Sequence, residues 1–169
     1  MFAVNDIVVY AGEGVCKVVG LEEKDFLGEK KTYYVLKPVE NERSVCYVPT
    51  DNLTVLLRTR KILSKDDIDA LIESMAEENT EWIADENERK EYFASVVYHS
   101  NHTELIRMIK AIYAEKKERE ASGKRLRTSD EWFLKEAKKI LHSEFRYVLN
   151  LNEEELLAYI VAKLERHTP

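Results

Sequence analysis

The chain has 169 residues, of which 44% are hydrophobic and 34% charged, a composition typical of a globular protein with one domain or two small ones. No apolar run approaches the ~18 residues that a membrane-spanning helix requires, so no membrane partner is expected. Residues 1–6 lack the basic and apolar segments of a signal peptide, which predicts a cytoplasmic protein. Its two cysteines, Cys16 and Cys46, are therefore expected to be thiols.

The formal net charge is −6, but it is unevenly distributed along the chain. Residues 65–95 contain eleven acidic and three basic residues, whereas residues 101–150 contain twelve basic and eight acidic residues. Because phosphate neutralisation supplies most non-specific affinity for DNA, an acidic chain with one basic region is expected to bind DNA weakly by itself. A solvated helical surface is the equally weighted alternative for the basic region.

The first part of the chain has the pattern of short β-strands. Five apolar and β-branched runs lie at residues 6–10, 15–19, 32–37, 44–48 and 53–57. Turn residues separate these runs, and the polar segment 22–31, which contains Gly28, is expected to be a hairpin loop. Five short strands with close-set turns predict a small barrel of the Tudor or SH3 type in residues 1–58.

Residues 59–169 have the apolar periodicity of helices, and five such segments predict a helical bundle after the barrel, hence an α+β chain. Ser64 with Asp67 and Asn152 with Glu155 are predicted helix caps, and residues 128–131 are predicted to form a capping box. Residues 77–80 interrupt the first helical pattern, and residues 121–123 are expected to end the third helix.

The sequence contains no arrangement typical of an enzyme. Residues 12–14 include two glycines between predicted strands, with no helix after them, which indicates a hairpin turn rather than a nucleotide-binding loop. His99 and His102 lack further ligands at the spacing that zinc requires, so neither a metal nor another cofactor is expected. Cys16 and Cys46 lie in predicted strands, where a packed thiol is more common than a reactive one.

Several short motifs follow one another in a definite order along the chain. In the N-terminal part they are Val8-Val9-Tyr10, Gly14-Val15, Gly28-Glu29, residues 33–37, and Tyr47-Val48-Pro49 with Asn52. In the C-terminal part they are Trp82, Arg89-Lys90 with Tyr92, Leu105-Ile106-Arg107, and residues 136–141. Together these motifs resemble the CarD/CdnL family of bacterial transcription regulators, over nearly the whole chain. The N-terminal motifs also resemble a domain of the transcription-repair coupling factor.

The resemblance implies two contacts for a protein that is not an enzyme. A Tudor-like domain would bind the β subunit of RNA polymerase, and the residues implied for that contact are Lys24, Tyr47, Val48 and Pro49. A helical domain would lie on promoter DNA at the upstream edge of the transcription bubble. There Trp82 would insert as an apolar wedge into the minor groove and stabilise the open complex. Since the implied partner is polymerase, we expect a monomer.

Basic residues of the helical part are candidates for contacts with DNA phosphates, which fix position without reading sequence. These candidates are Arg89, Lys90, Lys117, Lys124, Arg125 and Arg127. The family usually has basic residues directly after the tryptophan, whereas this chain has residues 83–85, which end in Asp85. Arg89 and Lys90 would partly replace them, and Tyr47 stands where the family often has an arginine that contacts polymerase.

Two alternatives stay open from the residues alone. Trp82 could be an aromatic residue packed between the two domains, as we expect Trp132 to be packed in its own helix. The chain could also be a protein-interaction adaptor without a DNA role, which Asp85 and the acidic segment 65–95 favour.

Overall fold

A computed structural model describes residues 1–77 and 80–167 of the chain, and it confirms the predicted α+β class. The chain divides into two compact units, Met1–Leu63 and Ser64–Pro169. The division falls after Leu63 rather than after residue 58, because a strand of the sheet, Thr59–Lys61, follows the boundary expected from the sequence.

The first unit is a five-stranded antiparallel sheet. Its strands are β1 (Ile7–Tyr10), β2 (Gly14–Phe26), β3 (Glu29–Pro38), β4 (Cys46–Pro49) and β5 (Thr59–Lys61). The strand order is β4-β3-β2-β1-β5, so the sheet is open with β4 and β5 at its edges. A short helix, α1 (Leu53–Leu56), contacts both edge strands. One face of the sheet packs into a small core formed by Val8, Cys16, Val18, Tyr34, Leu36 and Val48.

The prediction of a loop at residues 22–31 is wrong. Strands β2 and β3 stay paired as far as Phe26 and Glu29, and only two residues connect them. Leu27 and Gly28 both have positive φ, at 60° and 85°, the backbone conformation of the two-residue turn that suits a twisted hairpin. The segment has the polarity of a loop because this end of the ribbon is exposed to solvent.

The predicted strand at residues 53–57 is also wrong, because most of this segment forms α1 and the fifth strand follows it. Asn52 is the N-cap of the helix, and its side-chain oxygen accepts a hydrogen bond from the Val55 backbone N–H at 3.2 Å. The periodicity of a short apolar run does not distinguish a strand from a helix, and here the N-cap at Asn52 favours the helix.

The described part of the second unit contains five helices, the number that the sequence predicts. They are α2 (Lys65–Ser74), α3 (Glu86–His99), α4 (His102–Ala121), α5 (Thr128–Leu149) and α6 (Glu153–His167). Helix α5 packs against each of the other four. The interruption predicted at residues 77–80 lies partly outside the described residues.

Two predicted helix caps are confirmed and one is wrong. Ser64 and Asp67 form a capping box at the start of α2, and Asn152 and Glu155 hydrogen-bond reciprocally before α6. Helix α5 begins after Arg127, which makes no side-chain capping bond. The predicted capping box at residues 128–131 is absent because Thr128 is the first residue of the helix rather than its N-cap.

Cys16 and Cys46 are free thiols that pack in or against the core of the sheet, as predicted. Burial is the main reason why the pKa of Cys16 rises to about 12. None of the helices in the described residues has the length and apolar character needed to span a membrane.

Candidate functional site

Trp82 lies in the segment that precedes α3, and its ring is half-buried within the helical unit. One contact is an edge-to-face packing on Phe93, with ring centroids 6.2 Å apart. A second contact is the guanidinium of Arg89, whose Cζ lies 4.5 Å from the centroid of the Trp82 ring. This distance is within the range of a cation–π interaction. Trp82 is therefore partly packed and partly exposed.

Arg89 is fully buried, with 0% of its surface exposed. Its Nε and Nη2 donate hydrogen bonds to the two carboxylate oxygens of Asp130 at 2.8 and 3.0 Å, and Asp130 is 1% exposed. Its Nη1 donates to the carbonyl oxygen of Ile83 at 3.0 Å. The predicted contact between Arg89 and DNA phosphates is therefore wrong, because the guanidinium is paired inside the helical unit.

The structure brings Lys90 and Arg127 together through one carboxylate. The Lys90 Nζ lies 2.9 Å from Glu86, and the Arg127 Nη1 lies 3.7 Å from the same residue. Both basic side chains are more than 40% exposed. Ion pairs at such a surface are weak, so both cations can exchange Glu86 for a phosphate.

The remaining candidates for phosphate contacts, Lys117, Lys124 and Arg125, are exposed at the end of α4 and in the loop that follows it. The backbone of that loop is held in place, since the Nε of Arg119 donates to the carbonyl oxygen of Arg125 at 2.7 Å. No described contact joins these three residues to Trp82.

Asp85, which departs from the basic pattern expected after Trp82, is the N-cap of α3. Its side chain accepts a hydrogen bond from the backbone N–H of Glu88 at 2.8 Å. The carboxylate at this position thus starts the helix that contains Arg89 and Phe93.

The sequence did not reveal the parts played by Trp132 and Asp130. Trp132 was expected to be packed, and it does lie 5.0 Å from Phe133, yet 53% of it is exposed. Phe133 contacts Phe93 at 5.6 Å, so aromatic contacts link Trp82 to Trp132 through two buried rings. Asp130 had the appearance of a capping acid, and no local pattern connects it with a partner 41 residues away.

A groove beside α5 has a volume of about 450 Å³ and a basic lining. Among its residues are Lys135, Lys138, Lys139, His142 and Arg146. Glu153 pairs with His142 at 2.6 Å and with Arg146 at 3.5 Å, whereas Lys135 and Lys139 are exposed. This basic face was not among the candidates drawn from the sequence.

His99 and His102, the histidine pair noted in the sequence, make other contacts. The Nε2 of His102 lies 3.0 Å from the buried carboxylate of Glu144, and His99 packs against Tyr98. Across residues 1–77 and 80–167, no group of three or more His, Cys, Asp or Glu side chains could hold a metal ion.

The first unit presents a second surface, which we call the aromatic strip: Phe26, Tyr33, Tyr47 and Lys24. Tyr33 lies 5.5 Å from Phe26 and 6.4 Å from Tyr47 between ring centroids. The Nζ of Lys24 lies 4.6 Å from the centroid of the Tyr47 ring. Hydrogen bonds with Glu22 and then Tyr47 raise the pKa of Lys24. Phe26 and Tyr47 are 53% and 38% exposed, so the strip is open to a partner.

Strand β4 is an edge of the sheet and contains three of the residues predicted to bind polymerase. The backbone N–H of Thr50 donates to the carbonyl of Thr32 at 3.0 Å. Because hydrogen-bonded pairs alternate in an antiparallel ladder, the backbone N–H and C=O of Tyr47 point away from β3. Pro49 occupies an equivalent outward position, which tolerates its missing N–H. The side chain of Val48, the third of these residues, is buried in the core of the sheet.

Residues 2–61 match the family described as the CarD-like/TRCF RID domain. The match covers nearly all of the first unit, which we call the CarD-like domain for this similarity. A relative from Bacillus subtilis (strain 168), named "Putative transcription factor YdeB", is 36% identical over 66 residues. That alignment covers 39% of this chain and 37% of the relative, little more than a third of the relative's length. The resemblance seen in the sequence is confirmed for the CarD-like domain, and the family match ends at residue 61, before the helical unit begins.

Proposed function

We propose that this chain is a bacterial transcription regulator that binds RNA polymerase through its CarD-like domain and stabilises the open promoter complex through its helical unit. The observation that supports the proposal most directly is the match of residues 2–61 to the CarD-like/TRCF RID domain. The same residues include an exposed edge strand and the aromatic strip beside it. The chain would act by binding, without catalysing a reaction.

The polymerase contact would use the edge of β4. An exposed strand edge can accept a further strand from a partner, where backbone hydrogen bonds supply affinity and side-chain pockets supply specificity. Tyr47 offers both, through its outward backbone groups and its exposed ring, and Pro49 leaves its carbonyl available. The partner would be the β subunit, with Lys24 and the aromatic strip facing it.

The DNA contact would use Trp82 as an apolar wedge at the upstream edge of the bubble. Inserting an apolar side chain at a base step costs a few kcal/mol of unstacking, and DNA already opened at a fork lowers that cost. Lys90, Arg127 and the exposed lysines of the α5 groove would hold phosphates without reading the sequence. Because an acidic chain binds DNA weakly, polymerase would supply a high local concentration of protein at the promoter.

The binding of the full chain to purified β subunit tests this proposal. Tyr47→Pro removes the outward N–H of β4 without removing a hydrogen bond to β3, so we expect a folded protein that has lost most of its affinity. The control is a change at an exposed tyrosine of the helical unit, Tyr98→Ala. Alanine is used there because proline would disrupt α3. No measurable binding of the wild-type chain to the β subunit would refute the polymerase contact.

A second candidate function is a polymerase-binding adaptor without a DNA role. The burial of Arg89 and the pairing of Lys90 and Arg127 with Glu86 favour it, since they reduce the positive charge near Trp82. The two functions differ in one result. An adaptor leaves the lifetime of open complexes unchanged, whereas the proposed regulator lengthens it.

A further inference from the structure

One side chain of α3, that of Arg89, contacts the segment of Trp82 at several points. Arg89 donates a hydrogen bond from Nη1 to the carbonyl of Ile83 at 3.0 Å, and the same nitrogen lies 3.5 Å from the carbonyl of Ala84. Its guanidinium also lies against the Trp82 ring. Arg89 therefore contacts three consecutive residues, Trp82, Ile83 and Ala84.

Asp130 fixes the orientation of that guanidinium. The two parallel hydrogen bonds between Arg89 and Asp130 define the plane of the guanidinium as well as its position, as bidentate pairs do. Both residues are buried, and Asp130 lies in the first turn of α5. The placement of Trp82 thus depends on a carboxylate from another helix.

A buried ion pair is a poor explanation of stability alone. Removing two charges from water is costly, and an apolar pair of similar volume is often as stable or more stable. What an apolar pair cannot do is donate hydrogen bonds to the carbonyls of residues 83–84 or stack a cation on an indole ring. The pair of Arg89 and Asp130 is therefore suited to orienting the segment of Trp82.

We propose that Arg89 and Asp130 are positioning residues that set the orientation and exposure of the Trp82 ring for its contact with DNA. The contact with DNA rests on the function proposed above, whereas the positioning of the ring does not. Arg89 acts through Trp82 and does not itself contact DNA.

The decisive variant replaces both members of the pair by apolar residues, Arg89→Met with Asp130→Leu. This change avoids an unpaired buried charge, so we expect a folded helical unit at least as resistant to urea as the wild type. The bonds to residues 83–84 and the cation over Trp82 are lost. The single change Arg89→Lys keeps the charge but not the bidentate geometry, and serves as a second variant.

Fluorescence measures the ring without any DNA. The chain has two tryptophans, so Trp132→Phe leaves Trp82 as the single tryptophan, and excitation near its absorption edge avoids the tyrosines. In that background we expect the double variant to shift Trp82 emission to longer wavelength and to increase its quenching by acrylamide. Glu144→Gln, which alters another buried carboxylate of α5, is the matched control and should leave both signals unchanged. Unchanged emission and quenching in a folded double variant would overturn the proposal.

The lifetime of open complexes measures the consequence for function. With the double variant we expect the lifetime to fall to the value obtained with Trp82→Ala, while binding to polymerase is retained. If Trp82→Ala shortens the lifetime and the folded double variant does not, the positioning role is refuted and the wedge stands. If Trp82→Ala has no effect, the wedge fails, and the fluorescence result alone decides whether Arg89 positions the ring.

Discussion

At the scale of single residues, Arg89 and Lys90 show how neighbours in sequence come to have different roles. Arg89, Phe93 and Val96 are all buried and follow the three-to-four-residue spacing of one helix face. Lys90 lies one position away from that face and is partly exposed. The spacing of Arg89 from Phe93 and Val96 was therefore a usable signal of burial, although the identity of its partner was not.

A hydrogen-bonded cluster between α2 and α6 predicts how the stability of the fold depends on pH. Burial would raise the pKa of Asp69, but the hydrogen bond from Tyr159 and the ammonium groups of Lys163 and Lys65 together hold it below its usual value. Burial and the bond to Asp69 raise the pKa of Tyr159 from 10.0 to about 12. Each group thus stabilises the folded state in a defined pH range.

The direction of each effect follows from linkage. Because the pKa of Asp69 is depressed on folding, its contribution is complete at neutral pH and is lost as pH falls through the folded pKa. Because the pKa of Tyr159 is raised, its contribution is complete below pH 10 and is lost as pH rises towards about 12. Tyr159→Phe should lower the free energy of unfolding by about 2 kcal/mol at neutral pH, in the range of hydrogen bonds to charged groups. Urea unfolding at several pH values checks this, and a variant as stable as the wild type would contradict it.

At the scale of elements, substitutions at the N-cap of α3 separate the contribution of its hydrogen bond from that of its negative charge. Asp85→Ala should lower the stability of the helical unit by about 1 kcal/mol, because the N–H of Glu88 loses its acceptor. Asp85→Asn keeps an acceptor at the N-cap and should retain most of the stability while removing the negative charge. Thermal unfolding of the three proteins measures the effect. Equal losses for Ala and Asn would show that the carboxylate acts by its charge.

The elements that could be predicted from sequence are those with an amphipathic period or a cap. The five helices follow from their apolar periodicity, and Ser64 with Asp67 marks the start of α2. The outer part of the β2–β3 ribbon could not be distinguished from a loop, because neither of its faces supplies an apolar alternation. The bond between Arg89 and Asp130 could not be predicted either, because it joins residues of two helices that only the tertiary fold brings together.

At the scale of the whole molecule, the net negative charge of the chain predicts that its binding to DNA depends on polymerase. The net charge of −6 leaves little attraction for DNA, and Lys90 and Arg127 are both paired with Glu86. We expect the full chain alone to bind duplex DNA with a dissociation constant of roughly 10⁻⁴ M or weaker at physiological salt, the weak end of non-specific binding. Fluorescence anisotropy with a labelled duplex over a salt series checks this. Tight binding that persists at high salt would contradict the proposed need for a polymerase tether.

The role that we propose for the Trp82 ring, to hold the promoter open, is tested most directly by the half-life of open complexes after a competitor is added. Saturating wild-type protein should lengthen the half-life. Trp82→Ala should abolish the increase, which corresponds to a loss of roughly tenfold if the ring stabilises the complex by about 1.4 kcal/mol.

The matched control in that measurement is Trp132→Ala, which removes the other, more exposed tryptophan of the same aromatic group. We predict that Trp132→Ala keeps the wild-type half-life and that both variants still bind polymerase. A wild-type half-life with Trp82→Ala, while polymerase binding is intact, would contradict the account and leave the chain as an adaptor.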